Sequence, residues 1–181
     1  MVLQDSTQKE TKILERGAFY MTPLSPFHLD EIAKNMAHEN RRELRLLGYT
    51  DLRVAMSEMY EQAEAYIVRK EGGPIICAGG LWFNGDQDHP QMFTIFTEEA
   101  KNNFVMLARG SRMLVDFLSQ AQDHMTMTVL ADYEGILNWA VWLGFEPIGT
   151  IASGENKYVE FIRCNLEENC VYDRAPRPVI H

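Results

Sequence analysis

The chain is 181 residues long, 46% apolar and 10% aromatic, with a formal net charge of -9 at pH 7. That length and composition suit one domain with a sizeable core and exclude disorder over most of the chain. The acidic balance argues against a phosphate backbone as partner, so no nucleic acid is expected, and it suits a cationic partner such as a lysine-bearing protein or a small amine.

Taken in chain order, residues 1–16, MVLQDSTQKETKILER, are polar, carry no secretory apolar core and predict a flexible tail. Ala18 to Thr22 reads as a first strand, and Ser25 or Asp30 can cap a helix through Ile32, Ala33 and Met36. The charged segment His38 to Leu47 ends at Gly48, and Leu52, Ala55, Met56, Met59, Tyr60 and Ala63 mark a further helix at spacings of three and four. AYIVRK, the turn Glu71-Gly72-Gly73-Pro74 and IICAGGLWF read as a hairpin, in which Gly79-Gly80 marks a bulge or close packing. Asn84 to Pro90 is a turn-rich loop, followed by a strand from Gln91 to Thr97.

Phe104, Leu107, Ala108, Leu114, Phe117, Leu118 and Ala121 then carry helical period, interrupted by Gly110. MTMTVLA forms a strand. In Gly135 to Pro147, GILNWAVWLGFEP, Ile136, Trp139, Ala140 and Leu143 recur at helical spacing, Gly144 supplies a left-handed stop, and Phe145 re-enters the core. A pair of strands around Ile148 and Tyr158 to Arg163 closes a single domain over 17–166, and 167–181, with Pro176 and Pro178, predicts an extended tail.

Cys77, Cys164 and Cys170 are odd in number and lack CxxC or CxxH spacing, which predicts reduced thiols in a cytoplasm and no zinc site. No apolar run reaches membrane-spanning length, so no membrane partner is expected. The absence of a GxSxG elbow, a Walker loop, HExxH and a dinucleotide glycine fingerprint disfavours hydrolase, kinase and dehydrogenase chemistry.

The order strand, two helices, three strands, helix, strand, helix, two strands, ending in Gly-Phe, resembles the Gcn5-related N-acetyltransferases (GNAT). Arg42-Glu43 with Gly48, MFTIFTEEA, the ARGSR segment and NWAVWLGFEP together are similar to a podoviral family of GNAT-like and internal virion proteins, across about 18 to 164. The resemblance implies an α/β (α+β) fold with a mixed, mostly antiparallel central sheet flanked by helices. It implies acetyl-CoA as co-substrate, and an amine acceptor in the host, either a protein lysine or a small molecule. It also implies a phage-encoded protein in the cytoplasm of an infected bacterium or on the virion; a homodimer stays open. The alternative is a GNAT fold that has lost catalysis and binds a host or virion protein.

The resemblance also distributes roles. Met92 to Thr97, with Phe96 and Thr97 at its end, takes the place of the strand that pairs with the pantetheine arm. The glycine-rich pyrophosphate loop is missing, and its nearest substitute is Arg109-Gly110-Ser111-Arg112, unless Gly110 merely kinks one long helix. Glu98 and Glu99 favour a helix start but repel a pyrophosphate there. The position where the family often has its tyrosine acid is Ala140, which leaves Asp132 and Tyr133 as replacement base and acid. Glu43, among Arg41, Arg42 and Arg45, reads as a carboxylate kept ionised near the acceptor, with His38 a possible base beside it, or as one member of an ordinary charged face.

Overall fold

In the computed structural model, residues 11–83, 90–101 and 104–165 are described. The expected tail over 1–10, the loop over 84–89 and the segment 166–181, with Cys170, Pro176 and Pro178, lie outside the described residues. The strands are β1 (Leu14–Arg16), β2 (Phe19–Pro23), β3 (Ala63–Lys70), β4 (Ile75–Trp82), β5 (Gln91–Phe96), β6 (His124–Leu130), β7 (Glu146–Ser153) and β8 (Asn156–Cys164). The helices are α1 (Pro26–Asn35), α2 (His38–Leu46), α3 (Leu52–Gln62), α4 (Glu98–Lys101), α5 (Phe104–Leu118) and α6 (Glu134–Trp142).

The strands form one sheet in the order β1-β2-β3-β4-β5-β6-β8-β7. Every seam is antiparallel except β5 with β6. Period-two alternation sends one set of apolar residues to each face. Ile67, Ile75, Ala78 and Ile95 pack with Ile32, Met36, Leu44, Met56 and Met59 under α1 to α3. Val68, Ile76, Met92, Met127 and Phe161 pack with Met113, Leu114, Ala140 and Phe145 under α5 and α6. The mixed, mostly antiparallel sheet flanked by helices is the architecture expected.

Several elements differ from expectation. Leu14–Arg16 is not tail: it pairs with β2 around Gly17, whose φ of 61° a non-glycine residue rarely adopts. The charged segment forms a helix of its own, α2, so three helices and not two separate β2 from β3. α5 runs unbroken through Gly110, because the missing side chain lets the helix lie against β4. A Cβ there would come within 3.1 Å of Ile76 Cγ2. Cys164 is disulfide-bonded, a departure from the expected reduced thiols, while Cys77 is a buried free thiol.

Gly79 and Gly80 answer to close packing. A Cβ on Gly80 would stand 2.1 Å from the Glu64 carbonyl oxygen, and one on Gly79 2.6 Å from that of Phe93. The segment before the last hairpin behaves as read: α6 ends at Trp142 with Leu143 as its C-cap, Gly144 has φ of 90°, and Phe145 is 1% exposed. Among the described residues no helix is long and apolar enough to cross a membrane, and no group of three His, Cys, Asp or Glu could hold a metal.

Candidate active site

The site begins where the sheet stops pairing. β4 and β5 stay in register from Cys77 opposite Phe96 to Trp82 opposite Gln91. On its other edge β5 meets β6 through one pair, Gln91 with Thr126. The Thr126 N–H donates to the Pro90 carbonyl at 3.0 Å, and Gln91 Nε2 to Thr128 Oγ1 at 3.1 Å. Beyond that pin the two strands diverge, and unpaired strand edges must find other partners or face a cavity.

A cleft of about 530 Å³ opens in the gap, lined from α2 and its C-cap by Asn40, Glu43 and Leu47, from β8 by Tyr158, and from α6 and its approach by Tyr133 and Trp139. α2 covers one face of the sheet and α6 the other, so the cleft passes through the sheet. A second cavity of about 440 Å³ adjoins it, sharing Asn40, Phe96, Tyr133 and Trp139 and reaching Lys101 and Phe104. Its outer wall is aromatic: Phe104 meets Trp139 edge-on at 5.7 Å, and Trp139 stacks on Trp142 at 4.8 Å.

Glu43 reaches the cleft because Asn40, Glu43, Leu44 and Leu47 fall at i, i+3, i+4 and i+7, one stripe of α2. Burial pushes its carboxyl up from 4.5 to about 7. This corrects the expectation of a carboxylate kept ionised by arginines. Arg41 donates to the Met36 and Lys34 carbonyls, and Arg42 pairs with Asp132 at 2.9 Å. Neighbours one or two apart on a helix do not face each other. A carboxyl titrating near neutrality is suited to take a proton from an ammonium group and release it again.

Tyr133 stands at the start of α6, its hydroxyl donating to the Glu39 carbonyl at 3.3 Å and its ring 5.3 Å from the Arg42 guanidinium. Burial raises its pKa, partly offset by Arg42, so the phenol stays protonated at neutral pH. Tyr158 is raised as well, by burial and by the nearby charges of Glu43 and Asp132. Glu43, Tyr133 and Phe96 therefore line connected cavities. Asp132 reaches only the second, and His38 is exposed and lines neither.

The expected phosphate cradle does not assemble. Arg109, Gly110, Ser111 and Arg112 lie in the body of α5, with no helix N-terminus among them. Gly110 and Ser111 face the core, and Ser111 Oγ donates to the Leu107 carbonyl at 2.7 Å. Arg109 sits over the Phe19 ring, and Arg112 pairs with Asp116 and lies over Trp142. Thr97 is 1% exposed and spends its hydroxyl on the Ile75 and Ile76 carbonyls. It supports the end of β5 from the β4 side and does not face the cleft. Ala140 is fully buried, so no acid stands in that position.

One contributor is absent from the sequence reading. The buried side chain of Asn40 bridges the free edge of β5, donating from Nδ2 to the Thr94 carbonyl at 3.2 Å and accepting at Oδ1 from the Phe96 N–H at 2.9 Å. The only sequence signal for it is an amide on the same stripe as Leu44 and Leu47.

No protein-family model and no curated protein matches the sequence. Solved structures do match in shape. Spermidine/spermine N-acetyltransferase SpeG from Vibrio cholerae aligns over 81% of this chain and 92% of its own, with a TM-score of 0.62 at 10% identity. The ribosomal-protein-S5-alanine acetyltransferase from Vibrio fischeri aligns over 85% and 97%, with a TM-score of 0.60 at 12% identity. RimL, a ribosomal alpha-N-protein acetyltransferase, aligns over 86% and 94%, with a TM-score of 0.65 at 8% identity. At these identities the likeness establishes fold: the chain has the fold of the GNAT N-acetyltransferases.

Proposed function

We propose that the protein is an N-acetyltransferase that moves an acetyl group from acetyl-CoA to an amine. The observation that carries this reading is the cleft through the sheet at the β5/β6 seam, with the near-neutral Glu43 carboxyl on one side and the protonated Tyr133 phenol on the other. Acetyl-CoA supplies a thioester, and the diverging edges of β5 and β6 offer its arm a slot. Glu43 takes a proton from the incoming ammonium, leaving a free amine pair to attack. Tyr133 holds a proton at Oη for the departing sulfur. Asp132 orients Arg42 against the Tyr133 ring.

The net charge of -9 suits a cationic acceptor, a protein lysine or a small polyamine-like molecule. The resemblance in MFTIFTEEA and NWAVWLGFEP further supports a phage-encoded protein acting in its host. The test is release of free thiol from acetyl-CoA in the presence of small amines and a lysine peptide. Amine-dependent release that disappears in Glu43→Gln is expected, and release no faster than hydrolysis would overturn the reading.

A second reading, a GNAT fold kept for binding a host or virion protein, is favoured by Glu98 and Glu99 at the start of α4 and by the missing phosphate cradle. It predicts capture of a partner that free acetyl-CoA does not displace.

A further inference from the structure

We propose that the first turn of α2 is a displaceable plug: the Asn40 carboxamide occupies the free edge of β5, and the acetyl-CoA arm gains that edge only when the turn swings out. The inference rests on the acetyltransferase reading and adds a gate to it. Residues 94 and 96 of β5 turn backbone groups toward the gap, away from β4. The Thr94 carbonyl and Phe96 N–H are both taken by Asn40, and the Phe96 carbonyl accepts from the Ala37 N–H at 2.8 Å. A bridge between Met36 and Thr97 continues the pairing. A side-chain carboxamide that donates to one strand carbonyl and accepts from the next N–H but one satisfies the same groups as an amide in an extended ligand. The plug thus presents the chemistry of an amide-containing arm.

The turn is tied to both lips of the cleft. On the β5 side the His38 N–H donates to Glu98 at 2.7 Å, and Lys101 pairs with Glu39 at 2.5 Å. On the β6 side Arg42 pairs with Asp132, and Tyr133 reaches the Glu39 carbonyl. The two ion pairs are partly solvent-exposed, and screening by water limits what they contribute to holding the turn. The firm anchors lie at its ends, where Met36 is 0% and Leu44 4% exposed. Met36 and Ala37 have extended backbone, with ψ of 136° and 148°, and form the hinge between α1 and α2. Between Met36 and Leu44, Ala37 and Asn40 are buried as well, at 3% and 6% exposed, so release uncovers these two while the apolar cluster that holds Met36 and Leu44 stays in place. A site open in only a fraction of molecules shows an affinity weakened by that fraction.

The test is calorimetric titration with acetyl-CoA of the wild type, Asn40→Ala and Arg42→Ala, each checked by circular dichroism and thermal melting. Removing the amide leaves the closed turn with unsatisfied β5 groups and shifts the balance toward opening, so Asn40→Ala should bind about tenfold more tightly. Arg42→Ala cuts one exposed tie and should bind about twofold more tightly. Equal affinities in all three would overturn the plug and leave the acetyltransferase reading standing. No binding by any of them up to millimolar acetyl-CoA would overturn both. Should Asn40→Ala fail to fold, Arg42→Ala decides the matter alone, since its side chain is exposed.

Discussion

The two edges of β5 are made from the same six residues and meet different fates. Toward β4 the strand pairs along its whole length, and the packing is so close that a Cβ on Gly79 would stand 2.6 Å from the Phe93 carbonyl oxygen. Toward β6 it pairs once and then parts, and the Thr94 carbonyl and the Phe96 N–H and carbonyl are met by Asn40 and Ala37. The first edge is built for stability. The second forgoes sheet hydrogen bonds to make a cleft, and it is there that a carboxyl with a shifted pKa and a cluster of aromatic rings collect. Stability and chemistry are thus divided between two sides of one strand.

Four variants break or sharpen that contrast. The largest effect is expected on the open edge, where Glu43→Gln should slow amine acetylation by about a hundred- to ten-thousand-fold with little change in acetyl-CoA affinity, read by steady-state and binding measurements together. On the closed edge, Gly79→Ala should destabilise the fold by about 3 kcal/mol in urea unfolding, since the new Cβ would press on the Phe93 carbonyl and the Leu114 side chain. An unchanged midpoint would mean that β4 and β5 are not so tightly seamed.

Next comes a pH effect. With a folded pKa of about 7 against an ordinary 4.5, Glu43 holds a proton that the unfolded chain has already lost over that window. Stability contributed by that proton is present at low pH and is lost as pH rises from about 4.5 to about 7, by up to about 3 kcal/mol. Denaturant midpoints of wild type and Glu43→Gln measured at pH 5 and pH 8 should show the variant losing less on alkalisation. The acetylation rate should run the other way, rising with pH through about 7 as the carboxylate forms. Smaller still, Tyr133→Phe should slow turnover about tenfold without weakening acetyl-CoA. The smallest effect is expected from Arg109→Ala with Arg112→Ala, which should leave acetyl-CoA affinity unchanged because both side chains are directed elsewhere. A clear loss of affinity there would return them to the site.

The fold was legible where one residue type carries one mechanism. Gly144 stopped α6 through its left-handed φ, and Phe145 returned to the core as its spacing required. The alternation in β3 and β4 placed the hairpin within two residues of its observed ends. What failed were inferences from adjacency. Arg41, Arg42 and Arg45 surround Glu43 in sequence, yet helical geometry turns Arg41 and Arg42 away from it, so desolvation and not attraction sets its pKa. Arg109-Gly110-Ser111-Arg112 left a phosphate-holding break and a kink in one long helix both open, because glycine weakens helices, but close packing against Ile76 keeps the helix unbroken there. Asn40 was illegible because its partners are backbone groups of Thr94 and Phe96, which carry no side-chain signature.

The most direct measurement follows backbone amide resonances of the labelled protein as acetyl-CoA is added. The account predicts that the largest changes fall on β5 from Met92 to Phe96, on the first turn of α2, and on Tyr133 and Trp139, with β3 and β4 quiet apart from residues lining the cleft. Changes confined to other surfaces, or none up to millimolar acetyl-CoA, would contradict the claim that the open edge of β5 is the cofactor site.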